Sequence, residues 1–179
     1  MRGISSPVAG ATLFGVLVAA SLFSIGGLSV LTTLAQSTRL NALNRETAIA
    51  AQAARSAVER MRALPLREVF ATFNATASDD PDGPSTAPAN VFDVPGLTVT
   101  KGDADGIAGE IIFPVSSQDE VIEDLDDPKL GLPRDLNGDG KVDAKKHSTD
   151  YIILPVVVRV AWSGTGGDRT FELYTLLGR

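Results

Sequence analysis

Hydrophobic and polar positions divide this chain sharply at Arg39. Between Arg2 and Arg39 there is no charged residue, and the apolar stretch from Val8 to Ala35 exceeds the ~20 residues that a helix needs to cross a hydrocarbon core of ~30 Å. Backbone amides find no water at that depth, so the pattern predicts one N-terminal membrane-spanning helix. Two other readings of the same run compete with this one, a cleaved secretory signal peptide and an uncleaved signal anchor. Thr33-Leu34-Ala35 offers the small residues that a signal peptidase reads, with cleavage before Gln36, but the apolar region is roughly twice as long as the usual h-region of about 7 to 15 residues. An uncleaved signal anchor relies on the same physics as the first reading.

Past Arg39 the periodicity changes without a break. Leu40, Leu43, Thr47, Ala50, Ala54, Ala57, Met61 and Leu64 recur at three- and four-residue steps, with Arg45, Glu46, Arg55, Glu59 and Arg62 largely between them. This is an amphipathic helix with a narrow face of small residues, suited to packing on the protein's own sheet. No proline interrupts positions 11 to 64, so a single helix of ~80 Å is expected, with Gly15, Gly26 and Gly27 as weak points and Pro65 as its end or kink.

The remainder reads as β structure. Asp79-Asp80-Pro81-Asp82-Gly83-Pro84 and the residues to Asn90 form a loop. Short strands are expected at 91–94, 97–100 and 110–115, in the order of a meander, with Asp103 to Gly106 as a hairpin turn. In the last part Val156, Val158, Val160 and Trp162 alternate with Val157, Arg159 and Ala161, and Phe171, Leu173 and Leu177 alternate with Thr170, Glu172 and Tyr174. The glycine-rich stretch 163–168 closes these two strands into a hairpin. Pro155 belongs at a strand start or a bulge, because it has no N–H to give to a ladder. The expected class is α+β: a long N-terminal helix, membrane-spanning in its first half, whose second half lies on a small antiparallel sheet.

The N-terminal residues also carry a family resemblance. A short hydrophilic leader ends at Gly10 and is followed by Thr12, Leu13, Val16, Leu17, Val18 and Ala19 in the places of a run F-T-L-x-E-V-L-V-A, with Ser24-Ile25-Gly26 and Leu28 continuing it. Ala54-Arg55 and Glu59-Arg60-Met61-Arg62-Ala63 resemble the end of the long helix in type IV pilus modification proteins. Residues 1–64 thus resemble type IV pilins and pseudopilins, closest to the minor pilins of that modification-protein group. The resemblance implies a leader 1–10 cut after Gly10 by a prepilin peptidase and N-methylation of Ala11. It implies a membrane part 11–36, a periplasmic helix 37–64 and a globular sheet domain 65–179 as well. Implied partners are other pilin or pseudopilin subunits, the inner-membrane assembly platform and membrane lipid. Implied topology is a single pass with a cytoplasmic N-terminus and a C-terminal domain in the periplasm or an extracellular filament. Three residues depart from the pattern: Ala11 follows the cut, Arg2 is the leader's only arginine, and Gly15 stands where the family carries a glutamate. The tip pseudopilin of type II secretion systems also lacks that acid.

Composition agrees with a tethered, exported domain. The chain is 44% hydrophobic and 21% charged over 179 residues, which leaves room for one small core after the membrane segment. Loss of the leader removes only Arg2, giving 15 basic against 22 acidic residues, a balance without the basic stripe that nucleic acid requires. No cysteine is present, which excludes disulfides and thiolate metal sites and leaves a metal ion as the available staple.

That ion has a candidate loop in the long connection 116–150. Asp135-Leu136-Asn137-Gly138-Asp139-Gly140-Lys141-Val142-Asp143 puts oxygen side chains at relative positions 1, 3, 5 and 9 and glycine at 6, as calcium loops do. The expected ligands are Asp135, Asn137, Asp139, the Lys141 carbonyl and Asp143. Lys146 occupies position 12, where such loops place a bidentate acid, so Asp150 or an acid between Asp119 and Asp127 has to complete the shell. A solvated Asn/Asp/Gly turn is the plainer alternative. Catalysis has little support: His147 is the only histidine, has no triad or zinc spacing around it and reads as an exposed loop residue, and no phosphate-binding glycine loop occurs. The chain is therefore expected to be a non-enzymatic minor subunit of a type IV pilus or type II secretion pseudopilus. The competing expectation is a membrane-anchored, calcium-dependent binding module that does not polymerise.

Overall fold

The computed structural model describes residues 8–116 and 120–178, with side chains from Thr12 onward. Residues 1–7 of the expected leader, the Ala11 side chain at the expected cut, and Asp119 lie outside the described residues. The elements are α1 (Val8–Arg62), α2 (Leu66–Phe73), β1 (Val91–Phe92), β2 (Gly109–Ile112), β3 (Ile153–Gly164) and β4 (Gly167–Gly178). The chain divides into two compact units, Met1–Leu43 and Asn44–Arg179.

The first unit is the N-terminal part of α1, a helix long and apolar enough to cross a membrane. Its large apolar side chains, among them Leu13, Phe14, Leu17, Phe23, Ile25 and Leu31, are exposed. The hydroxyls between them turn back on the helix: Ser21 donates to the Leu17 carbonyl at 2.8 Å, Ser24 to Ala20 at 2.8 Å, Ser29 to Ile25 at 2.9 Å and Thr33 to Ser29 at 2.9 Å. Self-satisfied hydroxyls add little polarity to a helix surface in hydrocarbon.

The second unit is an α+β domain. Its sheet has the order β1-β2-β3-β4 with every pair antiparallel, the expected meander. Val156, Val158 and Val160 are fully buried and Trp162 nearly so, in one core with Ala50, Ala54, Ala57 and Met61 of α1. The small residues of that helix face and the branched residues of β3 thus contribute to the same core. The expected face begins later than its periodicity suggested, since Leu40 is exposed while burial starts at Ala50.

Pro65 marks the end of the long helix as expected: α1 stops at Arg62, and Pro65 is the N-cap residue of a second helix, α2, which the sequence did not announce and in which Val69, Phe70 and Phe73 are buried. The Tyr151 hydroxyl holds α2 in place, donating to the Leu66 carbonyl at 2.6 Å and accepting the Phe70 amide at 3.1 Å. The strand expected at 97–100 reduces to a single bridge, Thr98 to Ser163, because Gly96 at φ +91° and a turn from Thr100 to Asp103 bound it. The strands expected at 91–94 and 110–115 shrink to β1 and β2; Pro114 can donate nothing to a ladder, and β2 ends two residues before it. Pro155 is tolerated near the start of β3 because β2 covers only residues 157–160.

The β3–β4 hairpin closes at the Gly164–Gly167 pair, and one helix residue binds its turn. Glu46 accepts the Trp162 indole N–H at 3.2 Å, the Thr165 amide at 3.1 Å and the Thr165 hydroxyl at 2.9 Å. The Thr165 hydrogen bonds, then that of Trp162, hold the Glu46 carboxyl below its ordinary 4.5 against the opposing effect of burial. A depressed carboxylate stabilises the fold fully above its unfolded value and loses that contribution as pH falls through the folded one. Glu46→Gln is accordingly expected to melt below the native chain at neutral pH, with the gap closing below pH 4.5. Melting curves of both proteins between neutral and acid pH check this, and a gap that does not change with pH would remove the charge from the explanation.

Candidate metal centre

The connection between β2 and β3 is irregular but anchored. Val121, Leu130, Leu132, Leu136 and Tyr151 insert into the core. The Leu136 carbonyl accepts the amides of Ile152 at 2.8 Å and Ile153 at 3.1 Å, tying the start of the candidate loop to the start of β3. The Val121 carbonyl accepts the His147 amide at 2.8 Å, and the Glu123 carbonyl accepts that of Arg134 at 3.0 Å. The acidic stretch around Glu123 thus runs between the two flanks of the loop.

Within the loop each oxygen side chain accepts an amide further on. Asp135 takes Gly138 at 2.6 Å and Gly140 at 2.8 Å, Asn137 takes Asp139 at 3.0 Å, and Asp139 takes Lys141 at 2.8 Å. Gly138 and Gly140 have φ of +80° and +83°, so the winding needs glycine at both places. The Gly140 amide, ahead of that of Gly138, holds the Asp135 carboxyl below its ordinary range against the opposing effect of burial. At the far end Asp143 Oδ2 accepts Lys145 Nζ at 2.7 Å, and this hydrogen bond leads the causes that bring the Asp143 pKa down to about 2.

Two residues that the loop spacing did not single out complete the surroundings. Glu123 is 1% exposed, and its carboxylate accepts Leu136 N at 2.7 Å and Asn137 N at 3.2 Å through Oε1 and Asp143 N at 3.3 Å through Oε2. One buried carboxylate therefore ties both ends of the loop. His147 is not an exposed loop residue as expected: it is 4% exposed, packed between acids. Its Nε2 lies 3.3 Å from Asp143 Oδ1 and 3.7 Å from Glu123 Oε2, and its Nδ1 lies 3.1 Å from Asp150 Oδ1. Burial works to lower its pKa, but the Asp143 and Asp150 hydrogen bonds and the charge of Glu123 outweigh it and hold the imidazole above its ordinary 6.5.

Among the described residues, the ligand atoms of Glu123, Asp143 and His147 all lie within 4.8 Å of one another, the one such group of three or more. Of the expected calcium ligands Asp143 alone belongs to it; Asp135, Asn137, Asp139 and Lys141 wind the adjoining loop. Glu123 falls within the span 119–127 from which a completing acid was expected, and Asp150 reaches Asn137 Nδ2 at 3.5 Å. Compared with models of protein families, with curated proteins and with solved structures, the chain matches none.

Proposed function

We propose that this chain is a minor structural subunit of a type IV pilus or type II secretion pseudopilus. It would be cut after Gly10 by prepilin peptidase, N-methylated at Ala11 and assembled through its N-terminal helix, with its N-terminus toward the cytoplasm. The observation that carries the reading is the pilin-like, charge-free run at the start of α1 followed, on the same helix, by an alanine face buried in an antiparallel α+β domain. Membrane lipid, the assembly platform and other pilin-like subunits are its partners in this reading.

Gly15 supports a tip location in this reading. In the family the acid at this position is thought to meet the N-terminal ammonium of a neighbour inside an apolar filament core, where an unpaired charge is costly. The next acid is Glu46, ~46 Å along the helix and already committed to Trp162 and Thr165. A subunit at the end of a filament has neighbours on one side only and does not need that pairing. The domain holds a structural calcium ion through Asp135, Asn137, Asp139, the Lys141 carbonyl and Asp143, and the nearness of Asp150 to Asn137 supports it as the additional acid.

Mass spectrometry of the mature N-terminus from the native membrane tests the assignment. Ala11 carrying one additional methyl group is expected. Met1 or Gln36 at the terminus would replace it with the membrane-anchored binding module that does not polymerise.

A further inference from the structure

The surroundings of His147 go beyond an oxygen-lined loop. Both of its ring nitrogens face carboxylates; the His147 and Glu123 side chains are 6% and 1% exposed, while Asp143 and Asp150 reach solvent. A neutral imidazole has one N–H to give. With that hydrogen on Nδ1, given to Asp150, the Nε2 lone pair points at the oxygens of Asp143 and Glu123, which also carry lone pairs. Glu123, Asp143 and that lone pair then converge on one point, which a proton on Nε2 fills in the metal-free chain and a metal dication can fill in its place.

We propose that Glu123 Oε2, Asp143 Oδ1 and His147 Nε2 form a site for a transition-metal dication of the zinc type, next to the calcium loop and different from it in ligand chemistry. Ligands ~2.1 Å from a four-coordinate zinc stand ~3.4 Å apart. The two separations from Nε2, 3.3 Å to Asp143 and 3.7 Å to Glu123, lie on either side of that value. Calcium takes hard oxygens, whereas imidazole suits zinc, copper, iron and nickel. The outer groups fit as well. A metal-bound histidine generally gives its other N–H to a carboxylate, which is what Asp150 supplies at 3.1 Å. Glu123 Oε1 is fixed by the Leu136 and Asn137 amides, while Oε2, which accepts the Asp143 amide at 3.3 Å, and Asp143 Oδ1, which accepts the Lys145 amide at 2.9 Å, each keep a lone pair for the ion. Three protein ligands leave a fourth position for water or a group from a neighbouring molecule. The site takes no residue from the N-terminal helix; it shares Asp143 with the calcium loop, and its outer partner Asp150 is also the acid proposed to complete that loop.

Zinc is titrated into the full-length chain in detergent micelles, free of other metals, while the melting temperature is followed; calcium is titrated separately. The native chain is expected to melt higher with zinc. His147→Ala and Glu123→Gln should lose the zinc response, and Asp150→Asn should weaken zinc binding by about 10- to 100-fold. The double variant Asp135→Ala/Asp139→Ala should keep the zinc response and lose that to calcium. Should the His147 or Glu123 variants fail to fold, cobalt in the native chain serves as the second readout, with intense visible bands expected from a four-coordinate site containing nitrogen. Absence of a zinc shift in the native chain, an equal shift in His147→Ala, or weak six-coordinate cobalt bands would each overturn the site. A lost zinc response with calcium binding intact rejects this proposal alone, and the reverse rejects the calcium loop alone.

Discussion

A Gly10→Phe chain is expected to remain full length in the membrane and to be missing from filaments. The peptidase that the N-terminal resemblance implies reads a glycine at the end of the leader, and a bulky side chain there blocks the cut at its first recognition step. An uncut chain keeps Arg2 ahead of the apolar run. Drawing that charge from the watery side of the membrane into the apolar interior of a filament would cost several kcal/mol, by the translocon scale ~2.5–3.5 for a residue at mid-depth. The effect is therefore close to all-or-none. Comparing the mass of the protein in membranes and in sheared filaments reads it directly. Ordinary processing of the variant would weigh heavily against the pilin assignment.

Calcium is expected to raise the melting temperature of the full-length chain in detergent relative to the same protein in chelator. Asp135, Asp139 and Asp143 occupy one nine-residue loop, and a divalent cation turns their mutual repulsion into attraction. An ion that binds only the folded state adds ~2.7 kcal/mol when present at a hundred times its dissociation constant. Asp135→Ala/Asp139→Ala should abolish the increment. An unchanged melting temperature in the native chain, or the same increment in the double variant, would remove calcium from the account.

What the sequence made legible follows the range of the interactions that build each part. The charge-free run and the alanine spacing are properties of neighbouring residues, and both lie on α1 as expected. The Val156–Trp162 alternation and the glycines after it identified β3, β4 and their turn for the same reason. Helix α2 carried a visible stripe at Leu66, Val69, Phe70 and Phe73, but eight residues behind a proline are too few for periodicity to decide. Thr98 and its neighbours have strand-forming side chains, yet backbone geometry at Gly96 overruled them. The loop from Asp135 to Asp143 was legible because its spacing is local. Glu123 and His147 were not, because their meeting depends on Val121 pairing with His147 and Glu123 with Arg134 across an irregular connection. No spacing rule reaches across such a segment.

The Glu46 hydrogen bonds decide where the chain can be shortened. The buried helix face starts at Ala50, so a soluble fragment designed from burial alone would begin near that residue. It would leave the Trp162 indole and the Thr165 amide at the hairpin turn without their acceptor. A fragment that begins before Arg45 keeps the acceptor and the full turn of helix that presents it. The minimal unit for crystallisation or titration is thus set by one carboxylate ahead of the core.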